Sequence, residues 1–171
     1  IISTSAGLWS YNIGDTIKFT SRDPYRIIVS GRIKHFLSAF GEHVISEEVE
    51  KAMEAATKLH NVAIREFTVA PKINPVDMLP HHEWYVEFEN FPEDMSAFTK
   101  SLDNEMINQN IYYKDLIDGK ILKSLEVISV ERGGFNNYMK SVGRLGGQNK
   151  VPRLSNDRKI CLLYTSDAAD D

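Results

Sequence analysis

The chain has 171 residues, of which 42% are hydrophobic and 26% charged, with a formal net charge of −4. That is an ordinary globular composition with enough chain for one good core, and so mild a charge makes no general electrostatic case for nucleic acid or an anionic membrane as a partner. No apolar run approaches the roughly 20 residues that cross a bilayer, and Ile1-Ile2-Ser3-Thr4-Ser5 is not a basic region followed by an apolar stretch, so the chain reads as soluble and without a signal peptide.

The start at Ile rather than Met, just before a strand-like pattern, reads as a cut end. Gly7-Leu8-Trp9-Ser10-Tyr11 and Thr16-Ile17-Lys18-Phe19-Thr20 are two β-prone pieces separated by the turn-like Asn12-Ile13-Gly14-Asp15. A second turn, Ser21 to Pro24, leads into Arg26-Ile27-Ile28-Val29-Ser30, so a strand and a hairpin ending at Gly31 are expected. Ser46 is positioned to cap a helix with Glu47 and Glu48 in its first turn, and Val49, Ala52, Met53 and Ala56 recur at helical spacing.

Val62 to Val69 reads as a strand whose apolar phase shifts across Arg65-Glu66, where a bulge is expected. The three prolines between Ala70 and Pro80 predict a loop. From Glu83 to Phe88, Trp84, Val86 and Phe88 share one face and Glu83, Tyr85 and Glu87 the other, the pattern of a half-buried strand. Pro92, Glu93 and Asp94 open a second helix with Met95, Phe98, Leu102 and Met106 on its stripe. Leu125 to Val130 predicts a strand, and Phe135, Met139 and Val142 a short helix after Gly133-Gly134. The order after residue 40 is helix, strand, strand, helix, strand, helix: an α+β fold, a small mixed sheet with flanking helices.

The last segment, Cys161 to Asp171, breaks off from everything before it and resembles, residue for residue, the translation of a transposon adapter used in sequencing libraries. It is read as adapter read-through and not native, in preference to a natural acidic tail. Without its three aspartates the balance of residues 1–160 is −1, and the only cysteine leaves with it. A cysteine-free domain fits a reducing, cytoplasmic compartment.

Walker-type phosphate loops, the Gly-x-Ser-x-Gly elbow and paired histidines at helical spacing are absent from the sequence. His81 and His82 are adjacent in the proline-rich loop, where side chains diverge, and read as solvated surface with no metal. Three polar clusters remain. Tyr11-x-x-Gly14-Asp15 places a carboxylate at a tight turn, able to accept from a diol such as a ribose or to stabilise its own turn. Ser30-Gly31-Arg32-Ile33-Lys34-His35 with Ser38 to His43 gathers cations and histidines around glycines, or is a solvated loop. The third runs from Gly143 to Arg153, where Gly146-Gly147-Gln148-Asn149-Lys150-Val151-Pro152-Arg153 combines a flexible stretch with a lysine and an arginine suited to phosphate or carboxylate, or is a flexible basic end.

Taken together, Tyr-x-x-Gly-Asp, then Ser-Gly-Arg-x-Lys-His-Phe-Leu-Ser-Ala-Phe-Gly-Glu-His-Val-Ile-Ser-Glu-Glu-Val-Glu, then Gly-Gly-Gln-Asn-Lys-Val-Pro-Arg resemble the C-terminal region of the Gretchen Hagen 3 family of auxin-responsive acyl acid-amido synthetases, in a bacterial-type form. The resemblance implies an adenylate-forming enzyme. A large N-terminal domain binds ATP and Mg2+, and a small mobile C-terminal domain rotates over it. Residues 1–34 are then the end of the large domain plus the hinge, 35–160 the small domain, which docks on an N-terminal domain not in this chain. The resemblance matches Asp15 to the aspartate that holds the ribose hydroxyls and Arg32 to the arginine that follows it at the hinge, which makes Arg32 a nucleotide-binding residue and, with Lys34, a hinge residue. Lys150 matches the catalytic lysine. His43, on the nucleotide side, stands where plant members carry a lysine. The substrates implied are a small carboxylic acid and an amino acid or other amine, joined at the expense of ATP, with the fragment alone inactive. An acyl-coenzyme A ligase and a non-catalytic binding module are the alternatives.

Overall fold

Strand β1 (Asp15–Arg22) pairs antiparallel with β2 (Tyr25–Arg32) to form a hairpin in the computed structural model, which describes residues 2–32, 36–144, 146, 149–156 and 158. Ile17 lies opposite Val29 and Phe19 opposite Ile27, so four apolar side chains share one face. The strand expected over Gly7 to Tyr11 is not formed. Positive φ values at Gly7 (94°) and Ser10 (53°) bend the chain, and only Tyr11 exchanges backbone hydrogen bonds with Ile2, at 2.8 and 2.9 Å. The segment 161–171 lies outside the described residues.

A two-residue pairing of β3 (Phe36–Leu37) with β4 (Val44–Ile45) closes the loop 38–43 and delivers the chain to α1 (Ser46–Leu59). The cap of α1 is Ile45, not Ser46, because Glu48 in the first turn accepts from the Ile45 N–H at 3.0 Å and so fixes the start one residue earlier. Val49, Ala52, Met53 and Ala56 are buried as the spacing predicts.

Strands β5 (Ile64–Lys72), β6 (His81–Phe88) and β7 (Glu126–Val130) form the main sheet in that order, β5 antiparallel and β7 parallel to β6. The register shifts between Ile64 and Glu66, where the bulge is expected. β5 runs through Pro71 to Lys72 where a loop is predicted. Proline is tolerated there because β5 is the edge strand and its outward Pro71 carbonyl accepts from Arg158 at 2.6 Å.

Helices α2 (Met95–Gln109) and α3 (Ile111–Asp118) follow β6, and α4 (Gly134–Ser141) follows β7. α3 is not expected from the sequence. Asn110 ends α2 in an extended conformation, and its side chain then accepts from Tyr113 N–H at 2.8 Å to cap a new helix.

One face of the sheet, with Phe67, Val69, Trp84, Val86 and Phe88, shares a core with the stripes of α1 and α2. The other carries Ala70, Tyr85 and Val130 against Phe135 of α4. Each large side chain so buried is worth roughly 1.5–3 kcal/mol. Because both faces are covered, β6 is buried at all eight positions rather than at every second one. His81 and His82 are accordingly buried strand residues, not solvated loop. Among the described residues no helix is long and apolar enough to cross a membrane.

Candidate functional site

A cavity of about 700 Å³ opens where the hairpin, the first turns of α1, the end of α4 and residues 149–153 converge. Asp15 and Val29 come from the hairpin, Ser46 and Glu50 from α1, and Tyr138, Met139, Val142 and Arg144 from α4 and the turn after it. Asn149, Lys150 and Arg153 complete the wall.

Local rules place each contributor. Asn12 Oδ1 accepts from Gly14 N–H at 2.9 Å, and Gly14 at φ 77° turns the chain so that Asp15 opens β1. Asp15 is the register partner of Arg32, the last residue of β2, so the hairpin brings these two sequence-predicted positions together.

Lys150 owes its place to the segment that follows it. Thr68 donates its hydroxyl to the Pro152 carbonyl at 2.7 Å, Val69 N–H to the Arg153 carbonyl at 2.9 Å, and Ser155 N–H to the Val69 carbonyl at 2.8 Å. Residues 152–155 thereby extend the β5 edge, and Lys150 sits just before this anchor.

Arg153 reads in the sequence as a phosphate or carboxylate ligand, but in the fold it is structural. Its guanidinium donates to Glu50 at 3.1 Å, to Glu66 and to the Phe67 carbonyl at 3.0 Å, and its charge lies 4.4 Å from the Phe67 ring centre. A fork so committed is not available to a ligand.

His43 is not among the cavity residues. At φ 47° it lies against Phe36 and Tyr112, with ring centres 5.6 and 6.5 Å away. Lys34 lies outside the described residues. Sequence reasoning missed Glu50 and Tyr138, and placed Arg144 within the third polar cluster without giving it a role. The signal for Arg144 is the glycine before it, at the point where the stripe of α4 ends.

Elsewhere, His81, Glu83 and Glu126 hold ligand atoms within 4.8 Å of one another, the one such group among the described residues. Its carboxylates are already paired: Glu83 with Lys72 at 3.7 Å and with Arg158, Glu126 with Lys123 and with His81 at 3.2 Å. The Lys123 hydrogen bond, against partial burial, holds the Glu126 carboxyl below its usual range. This is an ion-pair network, and another cation would meet positive charge.

Comparison with known proteins follows the same lines. The family model described as "GH3 family C-terminal domain" matches residues 47–159. Two solved structures share the fold, "GH3.15 acyl acid amido synthetase" and "AtGH3.15 acyl acid amido synthetase in complex with 2,4-DB". Each superposes with a TM-score of 0.73 at 20% identity over 96% of this chain, which spans 32% and 31% of theirs. The chain is thus about a third of the length of these relatives. No curated protein matches.

Proposed function

The chain belongs to the GH3 family, as the C-terminal domain of that family, and from this premise we propose that it is the mobile part of an ATP-dependent acid–amino acid ligase. In this reading a substrate carboxylate oxygen attacks the α-phosphorus of ATP, the bond to the bridging oxygen breaks, and pyrophosphate leaves with the electron pair. The amine nitrogen then attacks the acyl carbon, AMP departs with the carbonyl–oxygen bond pair, and the amine proton passes to solvent.

Residues 1–34 are the end of a larger nucleotide-binding domain together with the hinge, and 35–160 the small domain that closes on it. The exposed apolar side chains of the hairpin support this boundary. Phe19, Tyr25, Ile27, Ile28 and Val29 are all more than half exposed, more apolar surface than a free hairpin leaves in water without a partner. Asp15 accepts from the ribose hydroxyls, Arg32 and Lys34 form the hinge, and Lys150 neutralises charge developing on the phosphates. The nucleotide role of His43 rests on the resemblance alone, since its ring packs against Phe36 and Tyr112 and it does not line this cavity. Among the described residues that line this cavity the carboxylates are those of Asp15 and Glu50, and Glu50 is held by Arg153, so the binding of Mg2+ falls mainly to the rest of the protein.

The single observation that carries the reading is that Asp15 and Lys150, 135 residues apart in sequence, line one cavity in a GH3 fold. The test is acid-dependent ATP–pyrophosphate exchange by the complete protein carrying this chain, across a panel of carboxylic acids. Exchange is expected with at least one acid, reduced on the order of 10²-fold by Lys150→Ala and weakened by Asp15→Ala. Absence of exchange with every acid refutes adenylation and leaves a binding module, while a coenzyme A requirement in the second step makes the protein a thioester ligase.

A further inference from the structure

We infer that Arg144 is a second phosphate ligand of this cavity, taking the oxygens of the departing pyrophosphate together with Lys150; the inference rests on the adenylation reading above. Three cationic side chains line the cavity: Arg144, Lys150 and Arg153. Arg153 is spent on Glu50, Glu66 and the Phe67 carbonyl. Among the described residues, the side chains of Arg144 and Lys150 make no hydrogen bond or ion pair, so two cations lining one cavity are left for a ligand.

Arg144 is also held in place by its backbone. Helix α4 ends in a two-bond closing turn: Gly143 N–H donates to the Lys140 carbonyl at 3.1 Å and Arg144 N–H to the Met139 carbonyl at 2.8 Å. Gly143 adopts φ 68° to allow it. The open space around a Cβ built there shows that the glycine is required for its backbone conformation, not for room. This turn fixes the origin of the Arg144 side chain, and Lys150 lines the cavity just before residues 152–155 join the β5 edge.

The chemistry asks for both. As the bond between the α-phosphorus and the bridging oxygen breaks, negative charge accumulates on the leaving pyrophosphate, whose oxygens are spread too widely for one ammonium group. A planar guanidinium spans two phosphate oxygens at once, and lysine supplies only a point charge.

The first measurement is a phosphorus NMR titration of inorganic pyrophosphate against the 171-residue chain, which needs no turnover. The wild-type chain is expected to shift and broaden the resonance. Arg144→Ala weakens the apparent affinity by about tenfold or more, and Arg144→Lys restores only part of it. The Arg144 side chain supports nothing else, so the variants are expected to melt with the wild type. A wild-type chain that leaves the resonance unmoved, or an Arg144→Ala chain of unchanged affinity, overturns the inference whether or not the complete protein adenylates acids. In the complete protein, Arg144→Ala should raise the KM for pyrophosphate in exchange and leave the KM values for acid and amine unchanged. A rise in the amine KM instead would assign Arg144 to a substrate carboxylate and also overturn it.

Discussion

Glu42 and His82 meet at 3.0 Å with neither side chain exposed to solvent, and this contact ties the loop 38–43 to the central strand of the sheet. The other Glu42 oxygen accepts from Phe40 N–H at 2.8 Å, and the His82 ring lies between those of Phe40 and Tyr113, with centres 6.2 and 5.2 Å away.

Burial alone would raise the Glu42 carboxyl pKa, but the hydrogen bonds from His82, from its own backbone and from Phe40, with the His82 charge, outweigh it and hold the group below its ordinary value of 4.5. A depressed folded-state value means that the stabilisation is present above about pH 4.5 and is lost as pH falls through the lower folded value. Glu42→Gln keeps the shape but has one acceptor oxygen where the carboxylate has two, so one buried donor loses its partner at a cost of about 1–3 kcal/mol. Denaturant melts should show that loss at pH 7 and a narrowing gap to wild type as the pH drops below the carboxylate range. Superimposable melts at pH 7 would show the contact to be energetically idle.

Tyr113 makes the opposite case on the far side of the same ring stack. Its hydroxyl donates to Asp103 Oδ1 at 2.7 Å, and that oxygen also accepts from Leu125 N–H at 3.1 Å. Burial first, then the Asp103 charge and hydrogen bond, push the phenol well above its ordinary value of 10.0. The linked stability is therefore full below pH 10 and declines as the pH rises above it, when the unfolded phenol ionises and the folded one does not. Tyr113→Phe should cost about 1.5–3 kcal/mol at neutral pH, as expected for a hydrogen bond to a charged acceptor, and flatten the alkaline limb of the stability profile. An alkaline limb as steep as that of wild type would remove Tyr113 from that account.

Much of this architecture is legible in the residues, and what is not has a common cause. The helical spacing of Val49, Ala52, Met53 and Ala56 and the phase break at Arg65 are local patterns, and both appear in the fold as read. Glu83, Glu87, His81 and His82 mislead because polar alternation signals solvent only if nothing covers that face. Their partners are remote: Glu87 accepts from Gly133 N–H at 2.8 Å and Glu42 from His82 at 3.0 Å, separations of 46 and 40 residues. The cavity follows the same rule. Asp15 and Lys150 can be picked out by resemblance, whereas the commitment of Arg153 to Glu66, 87 residues away, is visible only once the chain end has been added to the β5 edge.

That commitment predicts a local signature. Arg153→Ala removes the ion pairs to Glu50 and Glu66 and the Phe67 stacking, and so loosens residues 152–155 from the sheet edge. Hydrogen exchange at the amides of Val69 and Ser155, which bridge the two segments, should accelerate, while Val86 on the central strand stays protected. Arg153→Lys should not restore protection, since an ammonium group cannot make the forked contact. Unchanged exchange at both bridging amides would mean that the backbone hydrogen bonds hold the segment without the guanidinium.

The hairpin supplies the last test, because Ile17 with Val29 and Phe19 with Ile27 leave an apolar face that nothing described in the chain covers. If that face belongs against a larger domain, the 171-residue chain on its own should bury it by self-association, with the open edge of the two-stranded sheet as a further template. Sedimentation velocity should then show a concentration-dependent oligomer. Phe19→Ser combined with Ile27→Ser should shift it toward monomer with little change in the melting of the main sheet, which shares no core residue with these positions. The buried Trp84, stacked on Phe67 with ring centres 5.7 Å apart, reports separately whether that main core is intact. A wild-type chain that stays monomeric at high concentration and melts in one sharp transition would mean that the hairpin needs no cover, and would remove the support it gives to a domain boundary near residue 34.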